Sequence, residues 1–182
     1  MGACLPCAAG LTTKCAAARG DKPLAAFGFG QAFGRHGGMV SDALRVPWAD
    51  AMLERVPGEI DPLSLASASD NIPDAYRTVG PCLERTPGAP VLVMGGAAKS
   101  IGLYAVGIAK ALGSSRVDYL DTDTGRLDLA EQMGGNPIQV ERSASWYRKG
   151  TPPLHGGYPI TVEASSSTAG LSYTLGAVRL VA

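Results

Sequence analysis

The sequence predicts a parallel α/β fold, and three observations predict it. Val91–Met94 is a short, unbroken apolar run, V-L-V-M. A strand of a parallel sheet reads this way because both of its faces are covered. Ser100–Leu112 then carries Ile101, Ala105, Ile108 and Leu112 on one helical face, and Gly113 closes it. Beyond that point strands and helices keep alternating at the spacing of βα units.

The elements follow in order. Residues 1–38, rich in Gly, Ala and Cys, hold little periodicity and read as loops. Met39–Val46 reads as a strand stopped by Pro47, and Leu53–Val56 as another short strand. Pro62–Ala66 suits a single helical turn. Pro73 fits the first turn of a helix running to about Val79, where Gly80-Pro81 interrupts the pattern. Arg85-Thr86-Pro87-Gly88 is a turn signal before the Val91 strand. Val117–Leu120 is the second strand. Asp123 or Thr124 caps a helix from Gly125 to Met133, which Gly134-Gly135 closes, and Pro137–Val140 is a third strand. Residues 141–158 read as a long polar loop, Ile160–Ala164 as a fourth strand. Ser165–Thr168 supplies an N-cap for a last helix, Ala169 to Val178.

Composition narrows the function classes. The chain has 182 residues, enough for one domain or two incomplete ones, and 46% of them are apolar. Lys+Arg and Asp+Glu both number 16, so the net charge is zero and points to neither nucleic acid nor an anionic membrane as partner. The aromatic and basic run Trp146-Tyr147-Arg148-Lys149 is too short to make a nucleic-acid surface. No apolar run reaches the roughly 18 residues of a membrane span. The start lacks the pattern of a signal peptide, and Pro6 stands where a myristoylation signal has Ser or Thr. These features predict a cytoplasmic protein whose cysteines are metal ligands or free thiols.

The turn between the first strand and its helix is Gly95-Gly96-Ala97-Ala98-Lys99-Ser100-Ile101-Gly102. It lacks the strict G-x-G-x-x-G spacing. It keeps two early glycines for a tight turn, small residues for close backbone approach, and Gly102 for helix–strand packing. Such a turn sets amide N–H groups and a helix N-terminus against a pyrophosphate. Asp121 ends the second strand about 20 residues further on, where an acid accepts from the adenosine ribose hydroxyls and disfavours a 2′-phosphate. The other reading of Asp121 is a cap for the following helix.

Cys4, Cys7 and Cys15 form C-x2-C-x7-C. Structural zinc takes four ligands, often thiolates in close pairs. Three thiols are present, with Met1 where a fourth would stand and His36 as a remote substitute, so an unligated cluster is the competing reading. Cys82 reads as a core or partly exposed thiol. His36 and His155 both lie in glycine-rich loops and read as solvated residues rather than catalytic bases.

Together these segments resemble the zinc-dependent medium-chain alcohol dehydrogenases, including the formaldehyde and threonine dehydrogenase-like branches. In that family a lobe C-x2-C-x2-C-x7-C binds structural zinc, and Cys4, Cys7 and Cys15 match its last three cysteines. G-G-M-V-S-D-A-L-R-V-P-W-A-D-A (37–51) is similar to the family's G-G-x-A-E-Y-x-x-V-P-x-A-D-A. S-D-N-I-P-D-A-Y (69–76) resembles G-D-x-x-P-T-G-Y, whose acid is the third ligand of the catalytic zinc, so the resemblance makes Asp70 a zinc-ligand candidate. From its residues alone, Asp70 reads as a helix cap. Gly95, Gly96, Ala97, Lys99, Ile101 and Gly102 fall on the pyrophosphate turn, Asp121 on the ribose acid, and Arg126 on a basic position beside that ribose. I-T-V-E-A-S-S-S (160–167) looks like the fourth strand of the cofactor domain.

The resemblance implies residues 1–70 as part of a GroES-like β domain with the zinc lobe, and 71–182 as an incomplete Rossmann domain that binds NAD. It implies interconversion of a small-molecule alcohol with an aldehyde or ketone. The family's first catalytic-zinc cysteine, its Gly-His-Glu and its fifth and sixth cofactor-domain strands have no counterpart here. The chain is therefore expected to correspond to a middle segment, inactive alone. The alternative is a non-enzymatic fragment or pseudoenzyme with weak nucleotide binding or an interaction role. An uncovered sheet edge invites pairing with a further copy.

Overall fold

A computed structural model describes residues 3–11, 14–16, 27–28, 33, 37–46, 49–140 and 154–179, with Ala51 described by its backbone alone. His36 and the run from Trp146 to Lys149 lie outside these residues, as does most of the loop expected over 141–158. The chain divides into two compact units, Met1–Ile60 and Asp61–Ala182.

In the first unit, α1 (Leu5–Ala8) and α2 (Ala49–Met52) are single turns of helix. The strands expected over Met39–Val46 and Leu53–Val56 do not form. Residues 39–46 and 53–57 are irregular, and Met39, Val40, Leu53 and Val56 are exposed. A β-propensity is realised only where a neighbouring strand and a covered face reward it, and these side chains have neither among the described residues.

The second unit is a parallel α/β layer. It opens with a 3-10 turn, Pro62–Leu65, whose cap Asp61 accepts from the Leu63 amide at 3.0 Å. Then come α3 (Asn71–Arg85), β1 (Val91–Met94), α4 (Lys99–Ala111), β2 (Val117–Asp121), α5 (Thr124–Gln132), β3 (Asn136–Gln139), β4 (Ile160–Glu163) and α6 (Thr168–Gly176). The strand order is β3-β2-β1-β4 and every pairing is parallel, with Val91 opposite Val117 and Ile160. Chain progression runs one way from β1 through β3, then reverses across β1 to β4. That reversal opens a crevice at the carboxyl ends of β1 and β4, the position where such sheets bind ligands.

All residues of β1 and β2 are buried, because helices or loops cover both faces. Val91, Val93, Val117, Tyr119, Ile160 and Val162 pack against α3, α4 and α5. Leu92, Met94 and Leu120 pack on the other face with Val140, Tyr158, Tyr173 and Ala177. Tyr158 also ties distant pieces together. Its amide donates to the Ala177 carbonyl, and its hydroxyl donates to the buried Asp118, which Asn136 Nδ2 reaches at 2.8 Å. Pro137 is tolerated in β3 because β3 lies at the sheet edge.

One boundary needs a larger correction. The helix expected to end near Val79 continues to Arg85, with Pro81 inside it. Ala75, Val79, Gly80 and Leu83 form one buried stripe along α3, and α3 lies against α4. Burial of that stripe outweighs the hydrogen bond that Pro81 removes. Other boundaries differ from expectation by one or two residues. Asp123 and Ser167 are the caps of α5 and α6, accepting from the Arg126 amide at 3.0 Å and the Gly170 amide at 2.9 Å.

Candidate functional site

Because β1 and β4 diverge in connection, the loops that follow them meet over the sheet's carboxyl edge. They enclose a cleft of about 1060 Å³, lined by Gly95, Gly96, Ala97, Lys99, Asp121, Thr122, Asp123, Arg126, Gln139, Val140, Ser165, Ser167 and Ala169. Gly96 has φ +151°, and a Cβ there would lie 2.6 Å from the Ser165 Cα. Only glycine lets the two loops approach so closely.

The turn's amides divide into two groups. Ala97 and Ala98 N–H donate to the Ser165 and Ala164 carbonyls at 3.3 and 3.0 Å, fastening the turn to the loop after β4. The Gly102 amide makes the first bond of α4, to the Ala98 carbonyl at 3.1 Å. The amides of Lys99, Ser100 and Ile101 thus have no carbonyl a turn behind them. They form the positive end of α4, a place suited to an anion.

Six of the predicted positions line this one cleft: Gly95, Gly96, Ala97, Lys99, Asp121 and Arg126. Ile101 and Gly102 lie behind it. Ile101 is half-buried against the core, and a Cβ at Gly102 would sit 3.3 Å from that of Ala164, so this glycine brings α4 down onto the sheet. Sequence reasoning took Ser165 and Ser167 only as helix-cap material, and it passed over Tyr119. The signal for the serines was their position directly after a buried strand's carboxyl end. For Tyr119 it was the two-residue spacing to Asp121, which puts both side chains on one face.

Asp121 is 2% exposed and more occupied than the sequence suggested. Its Oδ1 accepts from the Thr122 amide at 2.6 Å, the Asp123 amide at 3.0 Å and Arg126 Nη2 at 2.7 Å. Its Oδ2 accepts from Tyr119 Oη and Arg126 Nε, both at 2.7 Å. Burial pushes the Asp121 carboxyl up, but Arg126, Tyr119 and the Asp123 amide outweigh it and hold the group below the usual carboxylate range. Tyr119 is pushed up, first by burial and then by Asp121. Arg126 is raised by its bond to Asp121. The three form one closed unit, whose Asp121 Oδ2 and Tyr119 Oη fill the space a Cβ at Gly95 would take.

The remaining candidates lie elsewhere. The sulfurs of Cys4, Cys7 and Cys15 all lie within 4.8 Å of one another. Hydrogen bonds from the Ala16 and Cys7 backbone, then the Cys7 thiol, bring Cys4 down to about 7. Zinc–thiolate bonds of about 2.3 Å put sulfurs of one tetrahedron roughly 3.8 Å apart, so the three thiols suit one face of a zinc site. Asp70 is exposed and begins α3 without a side-chain cap bond, while its neighbour Asn71 donates to Ser100 Oγ at 2.8 Å. Among the described residues no cluster of possible metal ligands includes Asp70. His155 is not simply solvated, since its Nε2 lies 3.6 Å from the buried Asp118. Cys82 is half-buried against the core.

No protein-family profile matches the chain. It is 35% identical over 143 residues to L-threonine 3-dehydrogenase of Bacillus subtilis, a match covering 78% of this chain and 36% of that protein. Alcohol dehydrogenase TADH from Thermus sp. ATN1 superposes with a TM-score of 0.75 at 29% identity, covering 98% of this chain and 49% of that one. Acetophenone reductase from Geotrichum candidum, solved in complex with NAD, has the same fold at a TM-score of 0.66 and 20% identity, covering 98% of this chain and 46% of that one. The chain thus spans about a third of the curated relative and half of the solved structures. The likeness in sequence to the first and in fold to the others has one source: the chain belongs to the zinc-dependent medium-chain alcohol dehydrogenase family.

Proposed function

We propose that this chain carries the NAD(H) site of an oxidoreductase that interconverts an alcohol with an aldehyde or ketone. The observation that carries the reading is the cleft at the switch point, where a glycine turn, the open end of α4 and the Asp121–Arg126 pair converge. The amides of Lys99, Ser100 and Ile101 would hold the pyrophosphate, with the Lys99 ammonium beside them. Gly96 and Ala97 keep side-chain bulk away from it. The Asp121–Arg126 pair would take the adenosine-ribose end, and Ser165 and Ser167 line the same cleft. When bound, the nicotinamide supplies the hydride acceptor or donor.

Cys4, Cys7 and Cys15 would hold structural zinc by three thiolates, which metal analysis of the purified chain tests. Absence of zinc contradicts that assignment. Asp70 is the single catalytic-zinc candidate among the described residues. We therefore expect the 182-residue chain to bind cofactor without oxidising alcohol. That same lone Asp70 also favours a second reading, a nucleotide-binding module without turnover of its own. The substrate class of the whole protein is proposed to be a small alcohol, as the name of the Bacillus relative suggests.

Titration with NADH, followed by its fluorescence, tests the reading. Saturable binding below millimolar concentration is expected, weakened at least about tenfold by Gly96→Val, which closes the cleft. No binding at millimolar NADH contradicts the cofactor site. Alcohol oxidation by the 182-residue chain contradicts both its proposed inactivity and the second reading.

A further inference from the structure

We propose that Cys4 and Cys7 are a dithiol–disulfide pair, closed by a low-molecular-weight disulfide such as oxidised glutathione, and that closing it releases the metal of the thiol cluster. The pairing stands on the geometry of the cluster alone. The metal-release half rests on the zinc reading above.

Cys4-Leu5-Pro6-Cys7 is a C-x2-C segment folded as one turn. Such a segment upstream of a βαβ pattern is a redox signature as well as a metal one. The Ala8 amide donates to the Cys4 carbonyl at 2.9 Å, and the Gly10 amide to the Cys7 carbonyl at 3.0 Å. Pro6 stands in the first turn of α1, where its ring fixes φ. Cα atoms three residues apart on a helical turn stand roughly 5 Å apart. A disulfide needs about 4.4–6.8 Å between them. The two sulfurs already lie within 4.8 Å of each other, so rotation of the side chains closes the remaining gap.

Cys4 is the hub of the cluster. The Cys7 and Cys15 thiols both bond to its sulfur, as do the Ala16 and Cys7 amides. Access chooses between the two partners. Cys15 is 1% exposed, whereas Cys4 and Cys7 are both half-buried. A small disulfide reaches the C-x2-C pair and is shut out from Cys15.

The exchange runs in two steps. The thiolate of one cysteine attacks a sulfur of the small disulfide, a mixed disulfide forms, and one glutathione leaves and takes up a proton. The second cysteine gives its proton to water, attacks the protein-side sulfur and expels the second glutathione. Two protein thiols are oxidised, and one disulfide is reduced to two thiols. The second step is intramolecular within one turn, so it outruns addition of another glutathione. A closed disulfide takes two of the three thiolates away from the metal, since the thiolate is the ligand.

Incubation of the purified 182-residue chain with oxidised glutathione, then alkylation, trypsin and mass mapping, tests the pairing. It is run on the chain as purified and after a chelator has removed metal. Cleavage after Lys14 separates Cys4 and Cys7 from Cys15. The fragment ending at Lys14 is expected to lose two hydrogens and escape alkylation, while Cys15 is alkylated on the next fragment. Less than about a tenth of the chain should hold a glutathione adduct. Cys7→Ser should trap that adduct on Cys4, raising it about tenfold or more. Cys4 and Cys7 that both stay open to alkylation in the metal-free chain overturn the pairing, with no variant needed. A crosslink to Cys15 as the main product, or a lasting glutathione adduct in the unaltered chain, also overturns it. Zinc captured by a chromogenic chelator should rise in step with the disulfide, and zinc retained by the closed form overturns the metal-release half. A reduced chain that carries no zinc removes the zinc reading and that half together, while the mapping decides the pairing independently.

Discussion

Asp121 shows how far a residue's identity can be read without its surroundings. Its position at the end of a strand was legible from the pattern V-D-Y-L-D, and the structure puts it at the cleft. Its saturation was not legible, because that depends on Gly95, at the end of the neighbouring strand, lacking a Cβ and on Arg126 curling back from the next helix. The lowered Asp121 carboxyl has a consequence for stability. A carboxyl whose folded value lies below its unfolded value of about 3.9 stabilises the fold above that pH. The contribution falls away as pH drops through the folded value, because the folded state then takes up its proton as well. Urea unfolding across pH should therefore show a steeper acid loss in the native chain than in Asp121→Asn, which has no carboxyl to titrate. Identical acid limbs in the two proteins would show that Asp121 carries no such linkage. Cys4, brought to about 7, shows the same effect at a thiol surrounded by donors.

At the scale of elements, local pattern succeeded where tertiary structure agreed with it. β1 was visible as V-L-V-M and α4 as a periodic apolar face, since burial on both sides of the sheet demands such runs. Met39–Val46 and Leu53–Val56 had strand-like composition, but composition does not supply a partner strand. α3 failed in the opposite direction. Gly80-Pro81 is a strong break signal, yet Val79 and Leu83 sit on one buried stripe that spans it. The helix is continuous because its packing is. Pro81 then remains a local cost inside α3, since its ring removes a donor and crowds the carbonyl one turn back. Pro81→Ala is expected to stabilise the chain by about 1–3 kcal/mol. Thermal unfolding should rise by roughly 2–4 °C for each of those kcal/mol. An unchanged or lower midpoint would mean that α3 has already adapted to the proline, for example by a bend that alanine does not relieve.

For the whole molecule, topology does what no single motif could. The glycine turn departs from the strict spacing, and two of its amides are committed to the loop after β4. The strand order nevertheless brings that turn, Asp121, Arg126 and Ser165 around one crevice. Alternation of strands and helices in the sequence announced a parallel sheet, but the reversal from β3 to β4 that opens the crevice is a long-range pairing. Nothing local in Ile160–Glu163 states that β1 is its neighbour. Among the described residues no helix is long and apolar enough to cross a membrane. The central claim is that this crevice receives a nicotinamide dinucleotide, and amide chemical-shift mapping during NADH titration tests it most directly. The account predicts saturable shifts concentrated at Gly95–Ile101, Asp121–Arg126 and Ser165–Ala169, whereas shifts absent from those three segments at saturating NADH would contradict it.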